Sequence, residues 1–192
     1  VEVNVGWGDT NVVIVGLPDA AVKESRDRVS TAMTNSAFKF PMGRTTINLA
    51  PADVKKEGPS FDLPIAVGMV AASEQMESTL LEKFVMVGEL ALTGAVRSVR
   101  GVLPMALRAK QEGRVGIIVP RENAAEAAVV ATAEAVVAGR AAGAVFEGVR
   151  ARVAWVVATR RLGDCGASTS QRRQLQRMRA VVPVGWRRVI DR

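Results

Sequence analysis

The sequence contains no histidine and no tyrosine among its 192 residues. Without histidine, Ser-His-Asp catalysis, Cys-His catalysis, His-containing metal sites and His-based proton relays are all excluded. The single cysteine, Cys165, cannot close an intramolecular disulfide, which fits a reducing cytosol. The apolar run from Ala124 to Val137 is interrupted by Glu126 and Glu134. The sequence therefore predicts no membrane span, and we expect a cytoplasmic protein.

A phosphate-binding loop and a metal-binding cluster are also missing from the sequence. The motif G-x-x-x-x-G-K-[ST] does not occur, and no other glycine-rich loop leads into a helix with a phosphate-binding lysine. The acidic residues are scattered, so no metal site is predicted. We therefore expect no cofactor in this chain. The first residues, VEVNVGWGDT, lack an initiator methionine and the form of a signal peptide, which suggests that the chain begins inside a longer one.

The positive charge of the sequence is concentrated at its C-terminal end. The formal net charge is +7, yet residues 1–149 carry 15 Lys and Arg against 17 Asp and Glu. Residues 150–192 carry 11 arginines, no lysine and only two aspartates. The composition predicts a near-neutral globular body followed by a tail of different character. That tail is either a solvated basic arm or an arginine-rich translation outside the original reading frame.

Hydrophobic patterning predicts alternating helices and strands over residues 1–130. Alternating valines at positions 1–5, followed by NVVIVG, predict one hairpin, and ALTGAVRSV predicts another. Helices are predicted at Ala20–Met33, with a buried stripe through Val22, Ser25 and Val29, at Asp62–Ala72, and in RGVLPMALRAKQEG, with Leu103, Ala106 and Leu107 buried. This order of elements predicts an α+β fold, a two-layer α/β sandwich with a mixed sheet.

Four long strings occur in the order expected of one known family: GLPDAAVKESRDRV, NLAPADVKKEGPSFDLPIAVGMVAAS, GELALTGAVRSVRGVLPMALRA and IIVPRENAAEAA. They resemble the N-terminal domain of ComM/YifB proteins, which are often labelled magnesium-chelatase-like or ChlI-like. The resemblance implies a Lon-protease-like domain with the ribosomal protein S5 domain 2-like fold. We expect this domain to occupy residues 1–135. Residues 136–192 would form an Ala/Val-rich, then Arg-rich tail that is poorly ordered or not native to the family.

In the family that the chain resembles, this domain precedes a AAA+ ATPase module that assembles as a hexameric ring. The ComM branch is known as a DNA helicase that promotes branch migration during natural transformation. The resemblance therefore implies a non-catalytic domain, cut short before the ATPase module, that contributes to subunit packing and contacts DNA. ATP and Mg²⁺ are expected only in the missing module, and the hexamer only in the full-length parent.

The string Gly58-Pro59-Ser60 raises a catalytic alternative. The chain is more distantly similar to Lon proteases, in which Gly-Pro-Ser carries the nucleophile and a later lysine is its base. A Ser-Lys pair works because a desolvated lysine with a lowered pKa accepts the hydroxyl proton. The resemblance aligns the nucleophile with Ser60, whereas the position of the base is occupied by Leu103, which cannot accept a proton.

Other lysines do not replace the missing base in the sequence. We expect Lys55 and Lys56 to be solvated, and Lys110 belongs to the charged side of its helix. The simpler interpretation is that Ser60 or Asp62 caps the helix that follows, which is worth about 1 kcal/mol. We therefore predict that the chain is not an enzyme and that Ser60 is a vestigial nucleophile position, with a Lon-type Ser-Lys peptidase as the alternative.

Basic residues suggest a further alternative, a stand-alone nucleic-acid-binding protein that acts through its tail. The string STSQRRQLQRMRA would, as a helix, bind the phosphate backbone with an affinity that falls steeply in salt. Residues of the body could line a DNA-binding surface in a ring, although such residues are more often the solvated face of a helix or loop. The predicted nucleic-acid contacts are Lys23, Arg26, Lys55, Lys56, Arg172, Arg173, Arg177 and Arg179.

Overall fold

A computed structural model of the chain describes residues 1–76, 78 and 81–130, together with the backbone of one further strand. Its helices and strands are, in order, β1 (Glu2–Val5), β2 (Asn11–Val15), α1 (Ala20–Asn35), β3 (Arg44–Asn48), α2 (Asp62–Ala72), β4 (Phe84–Met86), β5 (Glu89–Leu90), β6 (Val96–Arg97), α3 (Val102–Gln111), β7 (Gly116–Pro120), α4 (Ala124–Ala128) and β8 (Ala135–Ala138). No helix of this described part is long and apolar enough to cross a membrane.

The first sheet is mixed and has the strand order β1-β3-β2. β1 runs antiparallel to β3, and β2 runs parallel to it. The predicted hairpin between the first two strands is therefore wrong, because β3 lies between them. The connection from β2 to β3 passes through α1. A helical crossover of this kind brings the second strand back parallel to the first.

Helices α1 and α2 pack against each other, and α2 also packs on β1. The buried residues of α1 are Val22, Ser25, Val29, Ala32 and Met33, so the predicted stripe is confirmed. A Cβ atom built on Gly68 of α2 would lie 2.7 Å from Val3 Cγ2, so the glycine lets the helix approach the sheet closely. Val3 lies opposite Ile47 in the sheet, and together they mark the face that the helices cover.

The second part of the described chain contains a parallel sheet with the order β4-β7-β8 and the short hairpin β5-β6. That hairpin confirms the second predicted one. Helix α3 buries Val102, Ala106 and Ala109. The prediction that Leu107 is buried is wrong, because the buried stripe runs one residue out of phase with the predicted one and leaves Leu107 exposed.

Helices and small sheets of mixed type together make an α+β fold, as the sequence predicts. The strand β8 spans the predicted domain boundary between residues 135 and 136. The rest of the predicted tail, including Arg172, Arg173, Arg177 and Arg179, lies outside the described residues. The division into a domain and a tail therefore stays a prediction.

Candidate functional site

Ser60 lies in a single 3-10 turn, Pro59–Phe61, that leads directly into α2. The turn is tied to the start of α1 by Asp19. Its Oδ1 accepts a hydrogen bond from the Val22 N–H at 2.7 Å, and its Oδ2 accepts one from the Gly58 N–H at 3.2 Å. The bond from Val22 contributes most to lowering the pKa of Asp19 below its ordinary value. One carboxylate thus caps α1 and fixes the entry to the Ser60 turn.

The Ser60 turn is paired with the segment around Gly88. The Gly88 N–H donates to the Ser60 carbonyl at 3.1 Å, and the Leu63 N–H donates to the Gly88 carbonyl at 3.0 Å. A Cβ atom on Gly88 would lie 2.9 Å from Val96 Cγ1 and 3.2 Å from Leu63 Cδ2, so a larger residue would push these segments apart. The segment that resembles the nucleophile segment of Lon proteases therefore lies beside Gly88, the first residue of the string GELALTGAVRSVRGVLPMALRA.

The expectation that Ser60 or Asp62 caps α2 is wrong. Helix α2 has no side-chain cap hydrogen bond, and its N-cap position is Phe61. The cap is not needed because the Asp62 N–H already donates to the Pro59 carbonyl within the 3-10 turn. The Asp62 carboxylate is consequently available for contacts elsewhere.

Asp62 is fully buried and joins three elements of the fold. Its two oxygens accept hydrogen bonds from Arg28, from Nε to Oδ2 at 2.8 Å and from Nη2 to Oδ1 at 3.1 Å. The Ser25 hydroxyl donates to Oδ1, and the Leu90 N–H donates to Oδ2 at 3.2 Å. The bond to Asp62 is also the main reason that the pKa of Arg28 is raised. This bidentate, charge-assisted pair joins α1 to α2, and the bond from Leu90 adds β5 two residues after Ser60.

The position expected for a catalytic base is occupied by an apolar packing residue. Leu103 is half-buried and packs against a cluster of aliphatic residues from α3, β7 and α4. Its N–H donates to Glu126 Oε1 at 2.9 Å, which fixes the first turn of α3. Nothing at this position can take a proton from Ser60.

The two lysines before Ser60 differ in a way that the sequence did not predict. Lys56 is only 6% exposed, and its ammonium donates to the Pro51 carbonyl, so the expectation that it is solvated is wrong. Lys56 is buried because its backbone forms hydrogen bonds with the backbone of Leu17 and Asp19. Lys55 is exposed as predicted and pairs with Glu57 at 2.9 Å. That hydrogen bond raises the pKa of Lys55, whereas a base for Ser60 needs a lowered one.

The remaining predicted nucleic-acid contacts of the body lie on α1. Lys23 and Arg26 are exposed, and Arg26 pairs with its neighbour Asp27 at 3.1 Å. Lys56 differs from them because its ammonium is directed into the fold. Contact between DNA and the other predicted residues stays a prediction.

ATP and Mg²⁺, which the family resemblance implies for a full-length parent, do not fit the residues that the structure describes. Within them, no group of three or more His, Cys, Asp or Glu side chains could hold a metal ion. The carboxylates of Asp19 and Asp62 are already occupied by backbone and side-chain donors. The phosphate-binding loop is missing from the sequence itself.

Sequence reasoning missed the Arg28–Asp62 pair. One signal was present, since Ser25 and Arg28 are polar residues three positions apart, and Ser25 interrupts an otherwise apolar stripe. Residues at this spacing share a helix face, and a buried polar residue needs a partner. The partner, Asp62, lies 34 positions further along the chain, and no local pattern could identify it.

Residues 1–123 match the family model described as subunit ChlI of Mg-chelatase. Over 130 residues, 68% of this chain, the sequence is 52% identical to the uncharacterized protein YifB of Salmonella typhimurium and 48% identical to the competence protein ComM of Haemophilus influenzae. The match covers 26% and 25% of those proteins, so the chain spans about a quarter of their length. A Lon protease of Endomicrobium trichonymphae is 28% identical over 64% of this chain and 16% of that protein. The chain therefore belongs to the family of subunit ChlI of Mg-chelatase, as a member similar to ComM and YifB.

Proposed function

We propose that this chain is the non-catalytic N-terminal domain of a longer ComM/YifB-type AAA+ ATPase. In that parent it packs neighbouring subunits of a hexameric ring against one another and contacts the DNA on which the ring performs branch migration. The observation that carries the proposal is Leu103, an apolar residue at the position of the catalytic base. The fold would then be the ribosomal protein S5 domain 2-like fold of Lon-type domains, and the parent would work in the cytoplasm.

The contacts around Ser60 support a structural role for this segment. Its carbonyl accepts a hydrogen bond from Gly88, the residue two positions later is buried in an ion pair, and the preceding glycine is held by Asp19. Two of these contacts hold the backbone and the third joins two side chains, and none of them involves the Ser60 hydroxyl. A nucleophile instead needs an adjacent base that takes its proton. The segment therefore fits a joint between α1, α2 and β5 better than it fits a peptidase site.

A peptidase assay on the full chain tests the absence of catalysis. Fluorescein-labelled casein and short fluorogenic peptides would be incubated with the wild type and with Ser60→Ala. We expect no hydrolysis above the buffer rate in either protein, and a melting temperature that changes by less than about 2 °C, because Ser60 caps no helix. Hydrolysis by the wild type that disappears in Ser60→Ala would contradict the proposal.

The same assay decides the Lon-type alternative, which one observation favours. Lys56 is buried and lies four positions before Ser60. A desolvated lysine is the type of base that a Ser-Lys pair uses. The Lys56 ammonium is nevertheless held by the Pro51 carbonyl. If the chain is a peptidase that uses Lys56, then Lys56→Met abolishes activity as completely as Ser60→Ala does. If it is not, both variants match the wild type.

Ring packing can be tested in a full-length relative. The 130 matching residues of Haemophilus influenzae ComM would be replaced by those of this chain, which are 48% identical. We expect the chimera to assemble to the same mass as the parent in light scattering, whereas a ComM variant that lacks these residues assembles less well. Equal assembly by the deletion variant would contradict a packing role.

The stand-alone binder that acts through its arginine tail remains a separate hypothesis. It predicts DNA binding that disappears when all eleven arginines of residues 150–192 are replaced by glutamine and that weakens sharply with salt. Binding that survives these replacements would contradict it and would direct attention to the body of the protein.

A further inference from the structure

The first sheet has an edge that is not protected against further strand pairing. β2 is the last strand in the order β1-β3-β2, and no strand of the described residues pairs with its outer side. Its sequence, NVVIV, contains no charged residue and no proline, and its register with β3 has no bulge. Charges, prolines and bulges are the usual means by which proteins protect a sheet edge. β2 is therefore an edge that a partner strand can join.

The backbone groups on this edge belong to Val12 and Ile14. The Asn11 N–H donates to the Gly43 carbonyl at 3.4 Å, and the Val15 carbonyl accepts a hydrogen bond at 3.0 Å from the residue that follows β3. Consecutive residues of a strand direct their N–H and C=O groups to opposite sides. Because Asn11 and Val15 bond to the β3 side, the N–H and C=O groups of Val12 and Ile14 are directed away from it.

The side chains of this edge are apolar and only partly covered. Ile14 is in register with Ile47 on the face that the helices cover, yet Ile47 is fully buried and Ile14 is half-buried, as is Val12. On the other face Val15 is 42% exposed. The helices thus cover the middle of the sheet completely and its β2 edge in part. A further strand beside β2 would bury more of these side chains and satisfy the outward backbone groups.

We propose that two copies of this chain associate through β2, with the two strands antiparallel about a two-fold axis at Val13. In this register Val12 of one copy lies opposite Ile14 of the other, so each such pair exchanges two N–H···O=C bonds. On the outer face Val13 lies opposite Val13 of the second copy, and Val15 lies opposite Asn11. β-branched residues pack well against each other across such a pair of strands.

Pairing of β2 with β1 of a second copy would be less complementary. The Gly6 N–H donates to a carbonyl of β3, so by the same alternation the outward groups of β1 belong to Val3 and Val5. The antiparallel register that joins these groups to those of β2 places the Glu2 carboxylate opposite Val15. A carboxylate beside an apolar side chain loses hydration without gaining a partner. Pairing of β2 with itself brings no charged side chain of the strand into the contact.

This contact goes beyond the proposed packing of a ring. A two-fold contact uses the same surface on both copies and is complete with two of them, whereas neighbours in a ring meet through two different surfaces. The β2 pair would therefore join two chains in addition to any contact within a ring. Its presence or absence does not depend on ring assembly by the ComM chimera, so failure of this inference can be distinguished from failure of the proposed packing role.

A disulfide at the two-fold axis tests the register. Val13→Cys is made in the full chain after Cys165→Ser has removed the single native cysteine. Opposite residues of a pair without mutual hydrogen bonds have Cα atoms about 4.5 Å apart, which is within the range that a disulfide spans. Asn4→Cys is the matched control, because Asn4 and Val13 both lie beside Thr46 on the same face of the sheet, at opposite edges.

We expect Val13→Cys to form a covalent dimer at least about tenfold faster than Asn4→Cys in oxidised glutathione, as followed on non-reducing gels, because only position 13 is held against its own copy. Equal rates would overturn the proposal. Cysteine is close to valine in size, so this variant should fold, and circular dichroism checks that it does.

Charge at the same position provides a second test, by light scattering over a range of concentrations. Five-residue strands form a small interface, so we expect the wild type to dimerise with a Kd of roughly 10 μM. Val13→Lys and Val13→Glu should each raise the Kd about tenfold or more, because like charges then lie directly opposite each other. An equimolar mixture of the two variants should dimerise again, whereas Asn4→Lys should behave as the wild type does. A wild type that stays monomeric, or a mixture that does not recover, would overturn pairing of β2 with itself and would favour a strand of another protein at this edge.

Discussion

The two halves of the described chain are held together in different ways. Residues 1–72 bury charged and polar groups and pair them across elements, as in Arg28–Asp62 and Asp19–Gly58. In residues 84–130 the main cluster is aliphatic, and the ion pairs are exposed, as in Arg108–Glu112 at 2.8 Å. One polar side chain is buried there, the uncharged Asn123, which bonds to the Val99 backbone. There the hydrogen bonds from Arg108 and Arg114 lower the pKa of Glu112 without joining distant parts of the fold.

This difference explains why a segment that resembles a catalytic site has a structural role in our proposal. Directional contacts fix the backbone at Ser60 to within a single geometry, which a nucleophile would require and which a joint between helices also uses. The second half, which would supply the base, has Leu103 at that position, and this leucine packs against the aliphatic cluster. The contacts that position Ser60 and the residue that would act as its base therefore come from different parts of the fold. The positioning contacts can persist when the base is lost.

The largest effect should come from a fully buried aliphatic side chain of the second half. Ile118 is fully buried at the centre of β7, between β4 and β8. Ile118→Ala removes three buried carbon atoms and leaves a cavity, so we expect the free energy of unfolding to fall by about 4 kcal/mol. Urea unfolding monitored by circular dichroism measures it. A loss below about 1 kcal/mol would mean that this half does not depend on apolar packing.

The sequence predicted the parts of the fold that local patterns determine. The helix at Asp62–Ala72 has the predicted bounds, and the buried stripe of α1 follows from its periodicity. The pairing of β3 between β1 and β2 was missed, because strand order is decided by contacts distant in sequence. The same reason applies to the candidate site. Ser60 and Leu103 were recognised from motifs, whereas the Arg28–Asp62 pair and the burial of Lys56 depend on how distant segments meet.

A somewhat smaller effect is expected from the buried ion pair of the first half. Arg28→Ala leaves the Asp62 carboxylate buried without its cation, and breaking such a pair costs about 3 kcal/mol. We take the lower end of the usual range because the Arg28 side chain is 22% exposed. Urea unfolding of the full chain measures the loss.

Two controls make that result specific to burial and geometry. Arg28→Lys keeps the positive charge but cannot form both bonds, so it should recover part of the loss. Arg108→Ala breaks an ion pair whose arginine is 73% exposed, and it should cost less than about 1 kcal/mol. If Arg28→Ala and Arg108→Ala cost the same, the contrast between the two halves is wrong.

The smallest effect depends on pH and concerns Asp19. Asp19→Ala removes the cap of α1 and the acceptor for the Gly58 N–H, and should lower the free energy of unfolding by about 1 kcal/mol at pH 7. The pKa of Asp19 is lower in the folded protein than in the unfolded chain. Its contribution is therefore complete above about pH 4, the unfolded value, and disappears as the pH falls through the lower folded value.

The difference in unfolding free energy between the wild type and Asp19→Ala should accordingly shrink between pH 5 and pH 2.5, as measured by urea unfolding at several pH values. Every other carboxylate titrates in both proteins, so the difference isolates Asp19. Asp19→Asn is the control, because asparagine keeps one acceptor for the cap and does not titrate, so its difference from Asp19→Ala should stay constant over this pH range. A difference between the wild type and Asp19→Ala that is also constant would show that the charge of Asp19 adds nothing to the joint before Ser60, and that neutral hydrogen bonds alone hold it.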